Sequence, residues 1–504
     1  MNFDTFFRSS SKGSQPYPYQ VVLAENSWPE TLIIPTGFGK TAAILASWLW
    51  KIAQGDSGTP RRLVYCLPMR TLVEQTEAVA KMWIEGAKNA LNLDVKLGIL
   101  MGARADGPRG VPNWMLNPDR PTILIGTQDI LVSAALMRGY GASRYRWPVD
   151  FALLHNDAMW VFDEVQLTGA TLTTSAQLEA FRQKFGTGSV CRTLWMSATL
   201  DPAWLKTVDF ASTGKSRNHD LSLHDLARAQ HLWEAGKELC QLNLPAKEGD
   251  FKSRAVELAK KARDLAKPGT NTLLFLNTVA RAQAVYAALG NASDGPARLL
   301  VHSRFRKADR DRLMAGLREA PPPNGRIVVA TQALEAGVDV TSSVLITEIA
   351  PWSSLVQRFG RCNRYGECGE EGASLFWIDL RDEEAKPYEP SDFAEARKKI
   401  EALSACGPAD LAAIPPSAPS RGHVIRKRDL LDLFDTDPDL SGFDVDVSLY
   451  VRDADDTDVR LFWRSVDLII TLTKSRFVII KGGHKRLCQA GQRTFVASSA
   501  NGVP

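Results

Sequence analysis

Thr31-Leu32-Ile33-Ile34-Pro35-Thr36-Gly37-Phe38-Gly39-Lys40-Thr41 begins as a short apolar strand, turns sharply through two glycines and opens a helical stretch from Thr41 to Ile52. Strand, glycine-rich turn and helix start, in that order, are the context a phosphate-binding loop needs. Gly37 and Gly39 let successive backbone N–H groups point into one concavity, and the helix adds its positive N-terminal end. Thr36, Gly37 and Gly39 thus form a candidate cradle, Lys40 can reach the β and γ phosphates, and Thr41 offers a hydroxyl to Mg²⁺. Ile34 replaces the first glycine of the strict pattern, yet every group that touches phosphate is retained.

The same alternation of short apolar run, turn and amphipathic helix continues along the chain, which predicts an α/β fold of parallel sheets with crossover helices. The expected strands are Thr31 to Ile34, Leu63 to Leu67, Thr122 to Gly126, Met159 to Phe162 and Thr193 to Met196. A second set comprises Thr272 to Leu276, Arg298 to His302, Arg326 to Ala330, Val344 to Thr347 and Ser374 to Ile378. The pattern divides the chain into a first α/β unit (1–205), a mostly helical connector (206–269), a second α/β unit (270–381) and a C-terminal accessory region (382–504). At roughly 150 residues per domain, 504 residues suit about three.

Phosphoanhydride chemistry also needs carboxylates, and Met159-Trp160-Val161-Phe162-Asp163-Glu164-Val165-Gln166 is an apolar strand ending in two. Asp163 is the candidate for the Mg²⁺ shell and Glu164 for polarising the attacking water. Positive charge for the transition state is offered by Gln357-Arg358-Phe359-Gly360-Arg361-Cys362-Asn363-Arg364. On a continuous helix Gln357, Arg361 and Arg364 share one face. Cys362 and Cys368 lack a second pair and do not make a zinc site.

Composition limits the rest. Sixty-one basic against fifty-seven acidic residues leave +4, which excludes a polycationic coat, so any nucleic-acid binding rests on local groups. That balance conceals a polarity: Asp429 to Asp458 carries eleven aspartates and one basic residue, and Val459 to Pro504 carries eight basic residues against Asp467 alone, which reads as a solvated acidic loop before a small β-rich element. Seven scattered cysteines fit a reducing compartment, and no secretory signal or apolar run of about 20 residues is present, so a cytoplasmic protein without a membrane span is expected. The basic stretch from Arg304 to Arg318 is broken by Asp309 and Asp311 and suits a solvated face as well as a nucleic-acid-facing one.

Taken in order, these motifs resemble those of superfamily 2 helicases, which implies two tandem RecA-like domains over about Tyr19 to Ile378. The resemblance makes Gln20 the adenine-reading glutamine and Gly37 to Thr41 motif I. Pro68-Met69-Arg70-Thr71 resembles motif Ia, and Gly126-Thr127-Gln128-Asp129 a second strand-contacting motif. Asp163 to Gln166 resembles motif II, Ser197-Ala198-Thr199 the coupling motif III, Phe275-Leu276-Asn277-Thr278 motif IV, Ala330 to Asp339 motif V and Gln357 to Arg364 motif VI. It implies that Gly337 and Asp339 face ATP, that Lys40, Asp163, Glu164, Gln357, Arg361 and Arg364 carry hydrolysis, and that Arg70, Thr71, Thr127, Asn277, His302 and Thr331 hold the nucleic-acid backbone.

Leu67-Pro68-Met69-Arg70-Thr71-Leu72-Val73-Glu74-Gln75, Asp163-Glu164-Val165-Gln166 and Val301-His302-Ser303-Arg304-Phe305 further resemble the signature helicase of type I CRISPR interference. That family implies ATP and Mg²⁺ as cofactors, 3′-to-5′ movement on single-stranded DNA, and recruitment by a guide-RNA surveillance complex. It also implies an HD nuclease domain. His219-Asp220 and His224-Asp225 sit in the connector, where no such domain fits, and beyond Asp382 only His423 and His484 occur. The expectation is a motor whose nuclease is separate, or a truncated chain. Another superfamily 2 motor, such as an RNA helicase or restriction-type translocase, and a non-catalytic nucleic-acid scaffold are the alternatives.

Overall fold

The computed structural model describes residues 1–452, except 102–112, 141, 212–217, 245–250, 291–294, 336, 418–421 and 436–444, together with three strands beyond them. In chain order the first strands are β1 (Thr31–Ile33), β2 (Arg62–Leu67), β3 (Lys96–Leu100), β4 (Thr122–Thr127), β5 (Ala158–Asp163), β6 (Cys191–Ser197) and β7 (Asn218–Asp220). They form one seven-stranded sheet in the order β3-β4-β2-β5-β6-β1-β7. Every pairing in it is parallel.

Strands β8 (Lys237–Gln241), β9 (Asn271–Phe275), β10 (Ala297–Val301), β11 (Arg326–Ala330), β12 (Val344–Glu348) and β13 (Ala373–Ile378) form a second sheet. Its order is β10-β11-β9-β12-β13-β8, again wholly parallel. These are the two RecA-like domains expected from the sequence.

Central strands are buried on both faces, so they read as continuous apolar runs, and successive side chains feed opposite cores. In β2, Leu63, Tyr65 and Leu67 pack with helix Lys40–Ala53, while Val64 and Cys66 pack with Trp160, Phe162 and Trp195 on the other face. The second sheet repeats the division, with Leu273 and Phe275 in one core and Leu274 and Leu276 in the other. The N-terminal helix Phe3–Ser10 seals the first layer by setting Phe3, Phe6 and Phe7 against Trp50 and Trp83. Trp352 is a core residue, packed on Phe359 and capped by the Lys399 ammonium.

Besides its helices, the connector adds β7 beside β1 and β8 beside β13, one edge strand to each sheet. The C-terminal accessory region begins within the cores of the two domains. Phe393, Ala396 and Ile400 join the second domain's core. The chain then returns, and Ile425, Leu430, Leu433, Val447 and Val451 enter the core of the first domain. Thr171 and Thr174 donate their hydroxyls to Val451 O (2.8 Å) and Tyr450 O (2.6 Å), and Arg138 donates to Leu433 O (2.8 Å).

Residues 453–504 form a second unit, whose described part is a small sheet. Its strands are β14 (Leu461–Trp463), β15 (Lys485–Gln489) and β16 (Gln492–Ser498), with β16 central. The acidic residues Asp453, Asp455, Asp456 and Asp458 lie outside the described residues. No described helix is long and apolar enough to cross a membrane.

Candidate functional site

The loop between β1 and helix Lys40–Ala53 has the left-handed backbone that its glycines permit, with φ of +91° at Gly37 and +75° at Gly39. Buried Lys40 donates to Ile34 O at 2.9 Å, and its Nζ lies 3.9 Å from Glu164 Oε1. Gln20 reaches the same loop: its Nε2 donates to Gly39 O (3.1 Å), and its Oε1 accepts from Tyr17 N (2.9 Å). Tyr19 braces the loop with a hydroxyl donated to Phe38 O (2.6 Å), and Asp225 in turn accepts from Tyr19 N (2.7 Å). Asp225 also closes a capping box with Ser222, so its carboxylate serves as a cap and a brace. The side chains of His219, Asp220 and His224 lie outside the described residues, as does His484.

Sheet order brings the acidic pair to this loop. Register sets Ile33 beside Ser197 and Met196 beside Asp163, so the ends of β1, β6 and β5 stand in a row. Asp163 is buried and accepts from the Tyr65 hydroxyl (2.9 Å) and from Glu164 N (2.8 Å). Burial, and then the Glu164 charge, push its carboxyl up to about 7, while Lys40 pulls it down. The Thr41 hydroxyl is in hydrogen-bond contact with Tyr65, which joins it to Asp163. A buried carboxyl raised by a second carboxylate, next to a hydroxyl from the helix start, is a donor set that suits Mg²⁺.

Glu164 has left-handed backbone, φ 51° and ψ 49°. This turns its carboxylate into a line of side chains. Gln166 Nε2 donates to Glu164 Oε2 (2.6 Å), Ser197 Oγ donates to Gln166 Oε1 (2.6 Å), and Thr199 N donates to Ser197 Oγ (3.0 Å). From the second domain Gln357 Nε2 donates to Glu164 Oε2 at 3.3 Å. Ser197 and Thr199 are thereby wired to the acidic pair, and Glu164 is held from both domains. Tyr65 was not singled out by its spacing, and only the strand register brings it here; Gln166 stands in the motif II stretch, which gave it no role of its own.

The second wall departs from the helical face expected of it. Helix Trp352–Phe359 ends before Arg361, so Arg361 and Arg364 lie on the turn after it. That turn is tight, with Asn363 at φ 44°. Arg361 lies within electrostatic range of Glu164, and the Arg364 carbonyl lies beside Gly37. Among the described residues Arg361 donates to backbone carbonyls alone, Glu335 O (2.8 Å) and Val338 O (2.6 Å). Burial, and then the charge of Arg364, lower its guanidinium to about 9 against the opposing pull of Glu164 and Asp339. Arg364 pairs with Asp339 at 3.3 Å, and the Tyr365 hydroxyl donates to the same half-exposed carboxylate.

Arg358, between these residues, has another role. It is fully buried and bonds Glu335 Oε1 (2.8 Å), Thr347 Oγ1 (2.8 Å), Glu348 O (3.0 Å) and Asn277 Oδ1 (3.0 Å). It therefore ties motif VI to the ends of β9 and β12. The two walls touch through glycines. A methyl group added at Gly360 would sit 3.2 Å from Thr36 Oγ1, one at Gly37 would sit 3.7 Å from Arg364 O, and one at Gly337 would strike Thr71 at 2.7 Å.

The residues expected to hold nucleic acid line the same end of both sheets. Arg70 and Thr71 start the helix after β2, Thr127 ends β4, His302 follows β10 and Thr331 follows β11. Arg70 is exposed, while Thr127, His302 and Thr331 are buried. His302 stacks on Phe305 with ring centroids 4.3 Å apart. Asn277 departs from this set. Its N–H donates to Glu348 (2.7 Å), its Nδ2 to Ile349 O (2.7 Å), and its Oδ1 accepts from Arg358, which makes it a brace for the arginine.

Residues 21–208 match the DEAD/DEAH box helicase family, and residues 268–367 match the C-terminal family of the CRISPR-associated nuclease/helicase Cas3. A putative CRISPR-associated nuclease/helicase Cas3 of Myxococcus xanthus is 36% identical over 129 residues, which is 25% of this chain and 17% of that protein. The CRISPR-associated helicase Cas3 of Thermoproteus tenax is 26% identical over 348 residues, which is 67% of this chain and 54% of that one. The crystal structure of T. fusca Cas3 with ATP has the same fold, with a TM-score of 0.56 and 21% identity over 78% of this chain and 49% of that one. The chain spans about half the length of these relatives or less.

Proposed function

Since the chain belongs to the Cas3-like helicases of superfamily 2, we propose that it is an ATP-driven motor that moves 3′ to 5′ along single-stranded DNA in type I CRISPR interference. The observation that carries this reading is the double hold on Glu164, with Lys40 at 3.9 Å from the loop side and Gln357 at 3.3 Å from the second domain. A carboxylate approached from both walls of a cleft is where the γ-phosphate and its attacking water belong. Lys40 and the Thr36–Gly39 backbone take the phosphates, Gln20 reads the base, and Gly337 and Asp339 border the ribose side. Glu164 polarises the water, and Arg361 and Arg364 neutralise charge as the bond to the leaving diphosphate breaks. Mg²⁺, held by Thr41 and Asp163, would draw charge from the phosphate oxygens.

Because the γ-phosphate is what both walls contact, its loss favours separation, and the line from Glu164 through Gln166 to Ser197 and Thr199 passes the change to the strand-holding face. Phosphate contacts from Arg70, Thr71, Thr127, His302 and Thr331 ignore sequence, as a translocating motor requires. The setting in this reading is the cytoplasm, the recruiter is a guide-RNA surveillance complex, and the unwound DNA passes to an HD nuclease.

ATP turnover measured with single-stranded DNA, with RNA and without nucleic acid tests the reading. Stimulation by DNA is expected, with displacement only from substrates bearing a 3′ tail. Stimulation by RNA alone would transfer the chain to the RNA helicases. Lys40→Ala and Glu164→Gln should each abolish stimulated turnover, and full activity in either folded variant would refute the site.

A further inference from the structure

We propose that Lys237, the first residue of β8, is a positioning residue for ATP hydrolysis: with Gly236 it anchors the turn that carries Arg361 and Arg364. The inference rests on the phosphate-site reading above and adds a residue from the connector, outside the helicase motifs. Lys237 begins an edge strand, where a long charged side chain ordinarily reaches water, yet it is 4% exposed. Its ammonium donates at 3.1 Å to Phe359 O, the carbonyl of the last residue in helix Trp352–Phe359. Carbonyls at that end lack partners within the helix and form its negative pole, so a cation is favoured there. Burial lowers the ammonium from its ordinary value, with the Cys362 and Cys406 thiols and Glu367 opposing and Arg364 adding to the fall.

The turn is held at a second point. Asn363 Nδ2 donates to Gly236 O at 3.1 Å, and the same carbonyl accepts from Ala373 N at 2.9 Å. Arg361 stands midway between the two fastened residues, Phe359 and Asn363, and Arg364 follows the second. The anchor is itself fixed on both edges. Lys237 pairs with Ala373 of β13, and on the other side Lys237 O accepts from Cys406 N (3.0 Å) and Leu239 N donates to Ser404 O (3.0 Å). An arginine acting on a transition state needs such support, since misplacement by about 1 Å costs about 10²-fold in rate.

Removing the ammonium leaves little else unpaired. Phe359 O keeps its bond from Cys362 N (3.2 Å), and among the described residues Lys237 is in no ion pair, so Lys237→Met orphans neither a carbonyl nor a buried carboxylate. The loss falls on the placement of the turn.

The test compares ATP turnover and nucleotide affinity of the full chain with those of Lys237→Met. kcat should fall about 10–100-fold while KM for ATP stays within about threefold, because Arg361 and Arg364 act on charge that develops as the bond breaks. Affinity for ADP with aluminium fluoride, a mimic of the phosphoryl group in transfer, should fall about tenfold or more, while affinity for ADP alone is unchanged. A parallel loss of both affinities would make Lys237 a core residue and overturn the assignment. Asn363→Gly keeps the left-handed backbone and loses the tie to Gly236, so it should give the same split, and it decides the matter if Lys237→Met does not fold. If the parent turns over ATP and the deciding variant matches its kcat, the anchor is refuted and the phosphate-site reading stands. If the parent hydrolyses no ATP, both fail.

Discussion

Arg358→Met isolates the part of motif VI that builds the second domain from the part that faces the phosphate site. The guanidinium is wholly excluded from water, and Glu335, with 9% of its side chain exposed, has it at 2.7 Å as counter-ion. Removing one member of a buried pair leaves the other charge uncompensated, which costs about 3–5 kcal/mol. The same change orphans Asn277 Oδ1 and Thr347 Oγ1, which keeps the expected loss in the upper half of that range. In a lobe of ordinary domain size each kcal/mol moves Tm by about 2–4 °C, so calorimetry should show the affected transition lowered by about 8–20 °C. Adding Glu335→Gln should recover part of the loss, because the double variant buries no unpaired charge. Arg361→Gln, which gives up bonds to carbonyls and no buried ion pair, should instead lower Tm less than Arg358→Met and remove turnover. A drop below about 2 °C for Arg358→Met would refute this division of roles.

Three more outcomes follow from the geometry. Gly337→Ala sets a methyl 2.7 Å from Thr71 at a position with φ +76°, so it should cut DNA-stimulated ATP turnover at least tenfold while circular dichroism stays unchanged. Wild-type turnover would mean that the two domains do not close through this contact. Ser197→Ala breaks the link between Gln166 and Thr199, so unwinding per ATP should fall by more than half with basal hydrolysis retained; a proportional fall in both would remove the coupling role. Burial, and then Arg182, hold His155 down at about 3, with Ala135 O opposing. The folded form resists protonation, so stability is complete above the unfolded value near 6.5 and declines below it, approaching about 1.4 kcal/mol per pH unit. Urea midpoints at pH 7 and pH 5.5 should therefore differ less in His155→Gln than in the parent, and an equal difference would exclude His155 as the cause.

Much of this architecture is legible in the chain because central parallel strands are apolar throughout and end at motifs. Thr31 to Ile34, Leu63 to Leu67 and Met159 to Phe162 fall within a residue or two of β1, β2 and β5. The edge strands are different. Asn218-His219-Asp220 holds no apolar residue and is a strand only because β1 offers it a partner. Lys96 to Leu100 starts on a charge and carries Gly98, so it lacks a strand's ordinary outline. In the site, Lys40, Asp163 and Glu164 could be named from local order, because loop and strand end are each contiguous in sequence. Asn277 could not be assigned correctly, since its partners Glu348, Ile349 and Arg358 are 71 to 81 residues away. For the same reason Arg358 and Arg361, three apart, look equivalent in sequence while one bonds a carboxylate and the other only carbonyls.

The return of the chain from the second domain to the first has a mechanical consequence. Ile414 still packs against the second domain, and Gly422 already presses on Ala170 of the first. Eight peptide steps join them, and a fully extended chain covers about 3.3–3.6 Å per residue, so this strap spans at most about 25–30 Å. The lobes are thus joined twice, once through β7 and β8 and once through the strap, like a door with both a hinge and a stay. In the motor proposed above, shortening the strap should shorten the reach of each stroke while leaving the candidate site residues in place.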